Sequence, residues 1–293
     1  MIELQKKRIG EIKMKLKYLG TAAAEGIPAI FCDCPVCTTA RKIKGKNIRT
    51  RSQAIIDGKL LIDFPPDTYM HSLNYDIDLT KVRECLITHT HADHLYEDEL
   101  IMRYPGFGSL TKGEVMNFYG LHGAMMTIRK KTCGYTVNAE EFVDTNTMEL
   151  YKKTKVGDYT VTALKAIHGV ETFPAIYLIE DKEGKSVLYG NDTHYFCEEV
   201  WEYLEKNPVK LSFVSLDCTA ANRPEMNYVG HMCLNDNIRV KERLIKIGCA
   251  DENTIFCSNH FSHNGENVLY EEFSEIAKKA GFLTSYDGME IEF

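Results

Sequence analysis

Ile12, Met14, Leu16 and Tyr18 alternate with Lys13, Lys15 and Lys17. A period of two predicts a half-buried strand, ended here by Gly20. Ser52–Ile56 and Leu60–Phe64 are apolar runs on either side of Asp57-Gly58, a dipeptide that favours the positive φ angles of a tight hairpin. Glu84–Thr88 predicts a short buried strand that runs directly into His89-Thr90-His91-Ala92-Asp93-His94. Residues 96–150 mix helical stretches with breaks at Pro105, Gly106 and Gly108. Strand patterns return at Tyr159–Ile167, Ala175–Glu180 and Ser186–Tyr189, the last two joined by the turn Asp181–Lys185. Leu211–Leu216 and Thr254–Phe256 are buried-strand patterns. Glu198–Lys206, stopped by Pro208, predicts a short helix. Leu234–Ile247 and Glu266–Ala280 are amphipathic, the second closed by Gly281. Strands first, then strand–helix alternation, with no repeat or linker, predict one α/β domain over residues 1–293 with sheets between helices.

Composition narrows the class. The 293 residues are 44% hydrophobic and 26% charged, which excludes disorder and coiled coil. No apolar run approaches the ~18–20 residues of a membrane span. The N-terminal stretch 1–17 is basic but has no apolar core, so no secretory signal is expected. A net charge of −7 argues against a non-specific nucleic-acid binder. Ten cysteines without regular pairing, and no export signal, predict reduced thiols in the cytoplasm, some of them on metal.

The sharpest chemical signal is the run 89–94. His89 and His91 are two apart at a strand end, so extended backbone aims both the same way. Asp93 and His94 are adjacent and diverge once the chain turns. Four ligand-type side chains aimed two ways suit two neighbouring metal ions better than one. On these residues the sequence resembles the metallo-β-lactamase superfamily, whose signature is H-x-H-x-D-H. The resemblance implies a four-layer αβ/βα sandwich with a dinuclear metal site at one sheet edge. It also implies a third histidine for the first metal, a bridging aspartate and a late histidine. His168 after the Tyr159–Ile167 strand, Asp192 after Ser186–Tyr189, and His260 after the final strand stand where these are expected. Two divalent ions, Zn or Mn, against Asp93, Asp192 and a bridging hydroxide leave the site positive. It would attract a small anionic substrate and make water reactive near neutral pH.

Cys32-Asp33-Cys34-Pro35-Val36-Cys37 is a second signal. Three thiols this close can converge on one tetrahedral zinc, which needs a fourth ligand. His263 lies three residues after His260. If His260 serves the catalytic site, His263 is free to face the cysteines and complete a structural Cys₃His zinc. The other cysteines (85, 133, 197, 218, 233, 249 and 257) are expected to be small buried apolar residues. Leu19–Pro28, the three cysteines and the late H-x-x-H look like one branch of the superfamily. That branch includes the phosphoribosyl cyclic phosphodiesterase of phosphonate breakdown and the pyrroloquinoline quinone biosynthesis protein B group.

In phosphodiester-cleaving relatives a carboxylate and a histidine stand at the places of Asp217 and His231. By that resemblance His231 protonates the leaving alkoxide and Asp217 orients and charges it. His71, His122 and His194 carry no such signal, and His194 is expected to be solvated. Lys42, Lys44, Lys46, Arg49 and Arg51 are expected to form a solvated basic face. The leading expectation is a metal-dependent phosphodiesterase acting on a small cyclic or nucleotide-like ester, with Asp93 in the catalytic set. The alternatives are a cofactor-biosynthesis hydroxylase, another ester or lactone hydrolase, or a metal-binding non-enzyme. No basic arm for RNA is evident, no membrane partner is expected, and a homodimer is left open.

Overall fold

Asp57 and Gly58 both take positive φ, 51° and 67°, and turn the chain back on itself as the dipeptide predicts. The structure is a computed structural model, and its described residues are 13–110, 114–134, 138–224 and 230–293. Ile12 of the first alternating stretch, and the rest of 1–12, lie outside them. The strands are β1 (Lys15–Gly20), β2 (Gln53–Ile56), β3 (Leu60–Ile62), β4 (Glu84–Leu86), β5 (Met116–Gly120), β6 (Val143–Thr147) and β7 (Lys153–Val156). They continue with β8 (Tyr159–Lys165), β9 (Ala175–Glu180), β10 (Ser186–Gly190), β11 (Phe213–Asp217), β12 (Ile255–Asn259), β13 (Leu283–Thr284) and β14 (Glu290–Glu292). The α-helices are α1 (Pro35–Ile43), α2 (Thr68–Asn74), α3 (His122–Thr132), α4 (Glu198–Lys206), α5 (Leu234–Lys246) and α6 (Tyr270–Lys279).

Two sheets form, in the orders β14-β1-β2-β3-β4-β5-β6 and β13-β12-β11-β10-β9-β8-β7. Strand alternation builds the layers. Leu16, Tyr18, Ala54, Ile56 and Leu60 of the first sheet pack on Val161, Tyr177, Tyr189 and Phe213 of the second. Ile55, Leu61, Cys85 and Phe118 point the other way, onto Ala124, Met125 and Ile128 of α3. Leu188, Val214 and Leu216 meet α4, α5 and α6 through Trp201, Val240 and Phe273. The result is helix, sheet, sheet, helix, the four-layer metallo-β-lactamase sandwich that the resemblance implies. Each of the buried Leu, Ile, Val, Met and Phe side chains among these contributes roughly 1.5–3 kcal/mol.

β3, β4 and β5 are parallel, as are β10, β11 and β12. β8 reaches the same direction as β10 through the antiparallel β9. Loops leaving the C-terminal ends of β4, β8, β10, β11 and β12 therefore gather at one edge of the sandwich. β5 and β6 lie inside the stretch 96–150, and their mixed polar and apolar residues hide them from a periodicity reading. α6 begins at Tyr270, four residues later than its amphipathic pattern suggests.

Three expectations need correction. Arg49 of the basic stretch is not solvated. It is 2% exposed, donates to Ser285 O at 2.7 Å, and stacks its guanidinium 4.3 Å from the Phe261 ring centre. His194 is only partly exposed, with its Nδ1 2.8 Å from the His231 carbonyl. Cys133 is exposed and Cys197 half-buried, unlike the five other scattered cysteines, which are buried.

Candidate metal centre

Four side chains arriving from three loops meet first. His89 Nε2 is 2.9 Å from His91 Nδ1, which is 3.1 Å from His168 Nε2. His168 Nε2 is 3.7 Å from Asp192 Oδ1. The other oxygen of Asp192 begins a second group: Oδ2 lies 2.9 Å from both His94 Nε2 and His260 Nε2, and His94 Nε2 is 3.2 Å from Asp93 Oδ2. Asp192 thus faces two clusters, one oxygen to each. Ligand atoms around one tetrahedral cation with bonds of about 2.0–2.1 Å stand roughly 3.3 Å apart, close to these separations.

Burial supplies a further test of fit. His94 Nε2, His260 Nε2 and Asp192 Oδ2 are buried and have no hydrogen-bond partner. Buried polar atoms are almost always paired, so three orphans aimed at one another form the donor set of a cation site. Asp192 and His260 also take positive φ, 48° and 64°. Non-glycine residues adopt that region at a cost, and such strain collects where a side chain must be aimed.

The opposite ring nitrogens are held by the protein. His94 Nδ1 donates to Asp63 Oδ2 at 2.7 Å, and His168 Nδ1 donates to the Gly230 carbonyl at 3.1 Å. His89 Nδ1 is 3.1 Å from Thr88 Oγ1, whose hydroxyl reaches Asp63. His260 Nδ1 is 2.9 Å from Thr219 Oγ1, which is 3.2 Å from Asp217 Oδ2. Gly230 has a φ of +130°, and a Cβ there would stand 3.0 Å from His168 Nδ1, so glycine is required. Such partners fix the tautomer that presents the free nitrogen inward.

The fields are strong. Burial pushes the Asp192 carboxyl up, but His260 and His94 outweigh it and hold it well below the ordinary range. Burial depresses His94, yet Asp192, Asp93 and Asp63 raise it well above 6.5. His89 and His168 are lowered, chiefly by burial. Asp93 is held down by His94 against burial.

Asp217 and His231 come together as expected. His231 Nδ1 is 2.9 Å from Asp217 Oδ2, and Asp217 is fully buried while His231 keeps 15% exposure. Asp217 also accepts from the backbone N–H groups of Asp192, Thr219 and Met232 at 2.9–3.1 Å. Burial opposes a charged imidazole, but Asp217 prevails and lifts His231 to about 9. His231, His168, His260 and Asp192 share a cavity of about 340 Å³ with Glu25 and Asn264. A larger groove of about 710 Å³ beside β1 holds none of these histidines. Its Lys15 and Lys17 pair with Glu290.

The cysteines converge too. His263 Nδ1 lies 3.6 Å from Cys32 Sγ and 3.5 Å from Cys34 Sγ, and Cys37 Sγ completes a group whose donors all lie within 4.8 Å. This S₃N set could hold one zinc. Burial pushes Cys34 up, but the Cys37 backbone N–H and His263 outweigh it and bring it to about 6. Cys37, deeper in, rises to about 12.

Every site residue named from the sequence therefore lies in one of these clusters. Asp63, Thr88, Thr219 and Gly230 were missed. Only Asp63 left a trace, as a lone carboxylate inside the apolar run Leu60–Phe64.

A family model described as the beta-lactamase superfamily domain matches residues 59–246, from the turn before β3 to the end of α5. The coenzyme PQQ synthesis protein B of Methylobacterium radiotolerans is 30% identical over 129 residues. That match spans 39% of this chain and only 40% of the relative. Among solved structures, the chain is similar to a diphosphatase of the PhnP family, with 22% identity, a TM-score of 0.70, and coverage of 96% of this chain and 98% of that one. It is also similar to the zinc-bound PqqB from Methylobacterium extorquens, with 17% identity, a TM-score of 0.73, and coverage of 95% and 100%. At these identities the two structures speak for the fold.

Proposed function

Because the chain belongs to the beta-lactamase superfamily, we propose that it is a metal-dependent phosphodiesterase acting on a small anionic ester. His89, His91, His168 and Asp192 would hold one divalent cation, and Asp93, His94, His260 and Asp192 a second. When bound, such cations make water acidic enough to attack near neutral pH and neutralise charge developing on a phosphoryl oxygen. The protein's own part is to orient and to move a proton. His231, kept charged by Asp217 to about pH 9, faces the cavity as a proton donor for a leaving oxygen. Asp217 holds that imidazole in one orientation, and through Thr219 it steadies His260. Cys32, Cys34, Cys37 and His263 would hold a structural zinc that ties the loop before α1 to the loop after β12.

The observation that carries this reading is that His231, paired with the buried Asp217, opens into the same cavity as the histidine–aspartate cluster. Ester cleavage needs a proton for the departing alkoxide, and a metal-storage or sensor site does not. Protein purified with Mn²⁺ or Zn²⁺ should hydrolyse bis(4-nitrophenyl) phosphate or ribose cyclic phosphates and lose that activity with a chelator. Metal-loaded protein inert toward every phosphodiester would sink the proposal.

A second reading, an enzyme of cofactor biosynthesis, draws on the local 30% identity to coenzyme PQQ synthesis protein B. Iron content and oxygen consumption would favour it. Among the described residues no helix is long and apolar enough to cross a membrane. The free thiols support a cytoplasmic setting as part of the proposal.

A further inference from the structure

We infer that Glu25 selects the non-reacting end of the substrate, favouring a cationic or hydrogen-bond-donating group and rejecting a second anion. This rests on the phosphodiesterase reading above. Glu25 lies on the loop between β1 and α1, and that loop is fixed on both sides. Ala23 N–H donates to Phe261 O at 2.9 Å, and Ile27 N–H donates to Arg49 O at 2.9 Å. Glu25 lines the same cavity as His168 and His231. Its Oε1 accepts from the Ser262 hydroxyl and lies 3.7 Å from His263 Nε2.

Neither contact cancels the charge. Ser262 is a neutral donor, and His263 is beyond hydrogen-bond reach. Among the described residues, no Lys or Arg lines this cavity. Asp93 and Asp192, the other carboxylates of the wall, face the metal-ligand clusters, and charged His231 serves the leaving oxygen, which leaves Glu25 as the carboxylate that meets the remainder of the substrate. With the Glu25 side chain 30% exposed in the cavity wall, a like charge on the substrate is repelled and an ammonium or hydroxyl is welcomed. Asn264, also on the wall, donates its backbone N–H at 3.1 Å to the Ser262 hydroxyl that Glu25 engages.

The test uses three 4-nitrophenyl phosphodiesters with the same leaving group, whose second ester is propyl, 2-aminoethyl or 2-carboxyethyl. In the wild-type metal-loaded protein, kcat/KM should fall in the order aminoethyl, propyl, carboxyethyl, with steps of roughly fivefold. In Glu25→Gln the aminoethyl-to-carboxyethyl ratio should collapse toward one, mostly through KM, with metal content per chain unchanged by elemental analysis. A wild-type order that is flat or reversed, or a ratio that survives in Glu25→Gln, overturns the inference while leaving the phosphodiesterase reading intact. Binding of phosphoethanolamine against propyl phosphate, by calorimetry, separates the two failures. Discrimination in binding that Glu25→Gln removes, with no diester turned over, keeps Glu25 as the selector and removes the diesterase chemistry. Neither discrimination nor turnover removes both.

Discussion

Asp63 Oδ2 accepts from His94 Nδ1 at 2.7 Å, with neither side chain exposed to solvent. Asp63 also takes the Thr88 backbone N–H at 2.8 Å and the Thr88 hydroxyl, and Thr88 in turn stands beside His89. One carboxylate from the first sheet therefore steadies a ligand of each cluster. Replacing such a partner costs roughly 10–100-fold in metal affinity. Asp63→Asn should weaken the Asp93–His94–His260 side most, because His94 loses its charged partner. Competition with a fluorescent chelator measures it, and an unchanged second binding step would remove this role. Leaving His94 beside a neutral amide should also lower its pKa, since one of three raising carboxylates is gone.

On the second sheet Asp217 plays the corresponding part for His231 and His260. His231→Ala should lower turnover of a ribose cyclic phosphate, whose leaving group is an alkoxide, by about 10²–10⁴-fold while metal content stays. Asp217→Asn should lower it less and shift its pH profile. His231 is raised to about 9 by Asp217, so it donates a proton below that pH and loses the proton above it. Removing the carboxylate lowers the imidazole pKa, and the alkaline limb of the rate profile should move to lower pH. An alkaline limb that stays in place in Asp217→Asn would show that another group delivers the proton.

The cysteine cluster makes a separate prediction. Cys34, brought to about 6, is a thiolate at pH 7, ready to bind a soft cation without first losing a proton. Zinc affinity of this site should fall as pH drops below about 6, where protons compete for the sulfur. Cys34→Ser should release one equivalent of metal per chain. Because His263 sits three residues past His260, the same variant should lower turnover on the order of tenfold through the shared loop. Retention of all bound zinc in Cys34→Ser would mean that the metal sits elsewhere.

Much of this site was readable in the chain because its residues follow strands whose patterns are strong. His89–His94 follow a short apolar strand, and Asp192 and Asp217 follow runs of fully buried residues in β10 and β11. What escaped was what acts through contact across the fold. Asp63 and Thr88 sit within apolar strand runs and Thr219 just past another, and only the meeting of two sheets shows which nitrogen each one holds. Arg49 misled for the same reason. Within a basic stretch it reads as solvated, yet its Nη1 donates to Thr21 Oγ1 and Ser285 O, and its flat face lies over Phe261. β5 and β6 escaped because Asn117, Asp144 and Asn146 leave each strand few apolar residues, and pairing of β5 with β4 and of β6 with β5 compensates for the weak propensity.

His71 yields the last prediction, and it lies away from the ligand clusters. Its Nδ1 is 2.6 Å from Gln53 Oε1 and its Nε2 is 2.7 Å from Thr50 Oγ1, at 1% exposure. Burial lowers it to about 4, against a small opposing pull from Asp67. The unfolded chain holds this imidazole near its ordinary value of about 6.5. Between those two pH values the unfolded state binds the extra proton, so stability falls as pH falls. The contribution is fully present above about 6.5 and lost progressively toward 4, amounting to about 2 kcal/mol between pH 7 and pH 5. His71→Gln keeps a neutral hydrogen-bonding side chain there and should unfold more easily than wild type at pH 7. Its further loss on going to pH 5 should be smaller than the wild-type loss by about that same 2 kcal/mol. Urea unfolding of both proteins at the two pH values measures the difference. Parallel losses in the two would show that His71 titrates alike in the folded and unfolded chains.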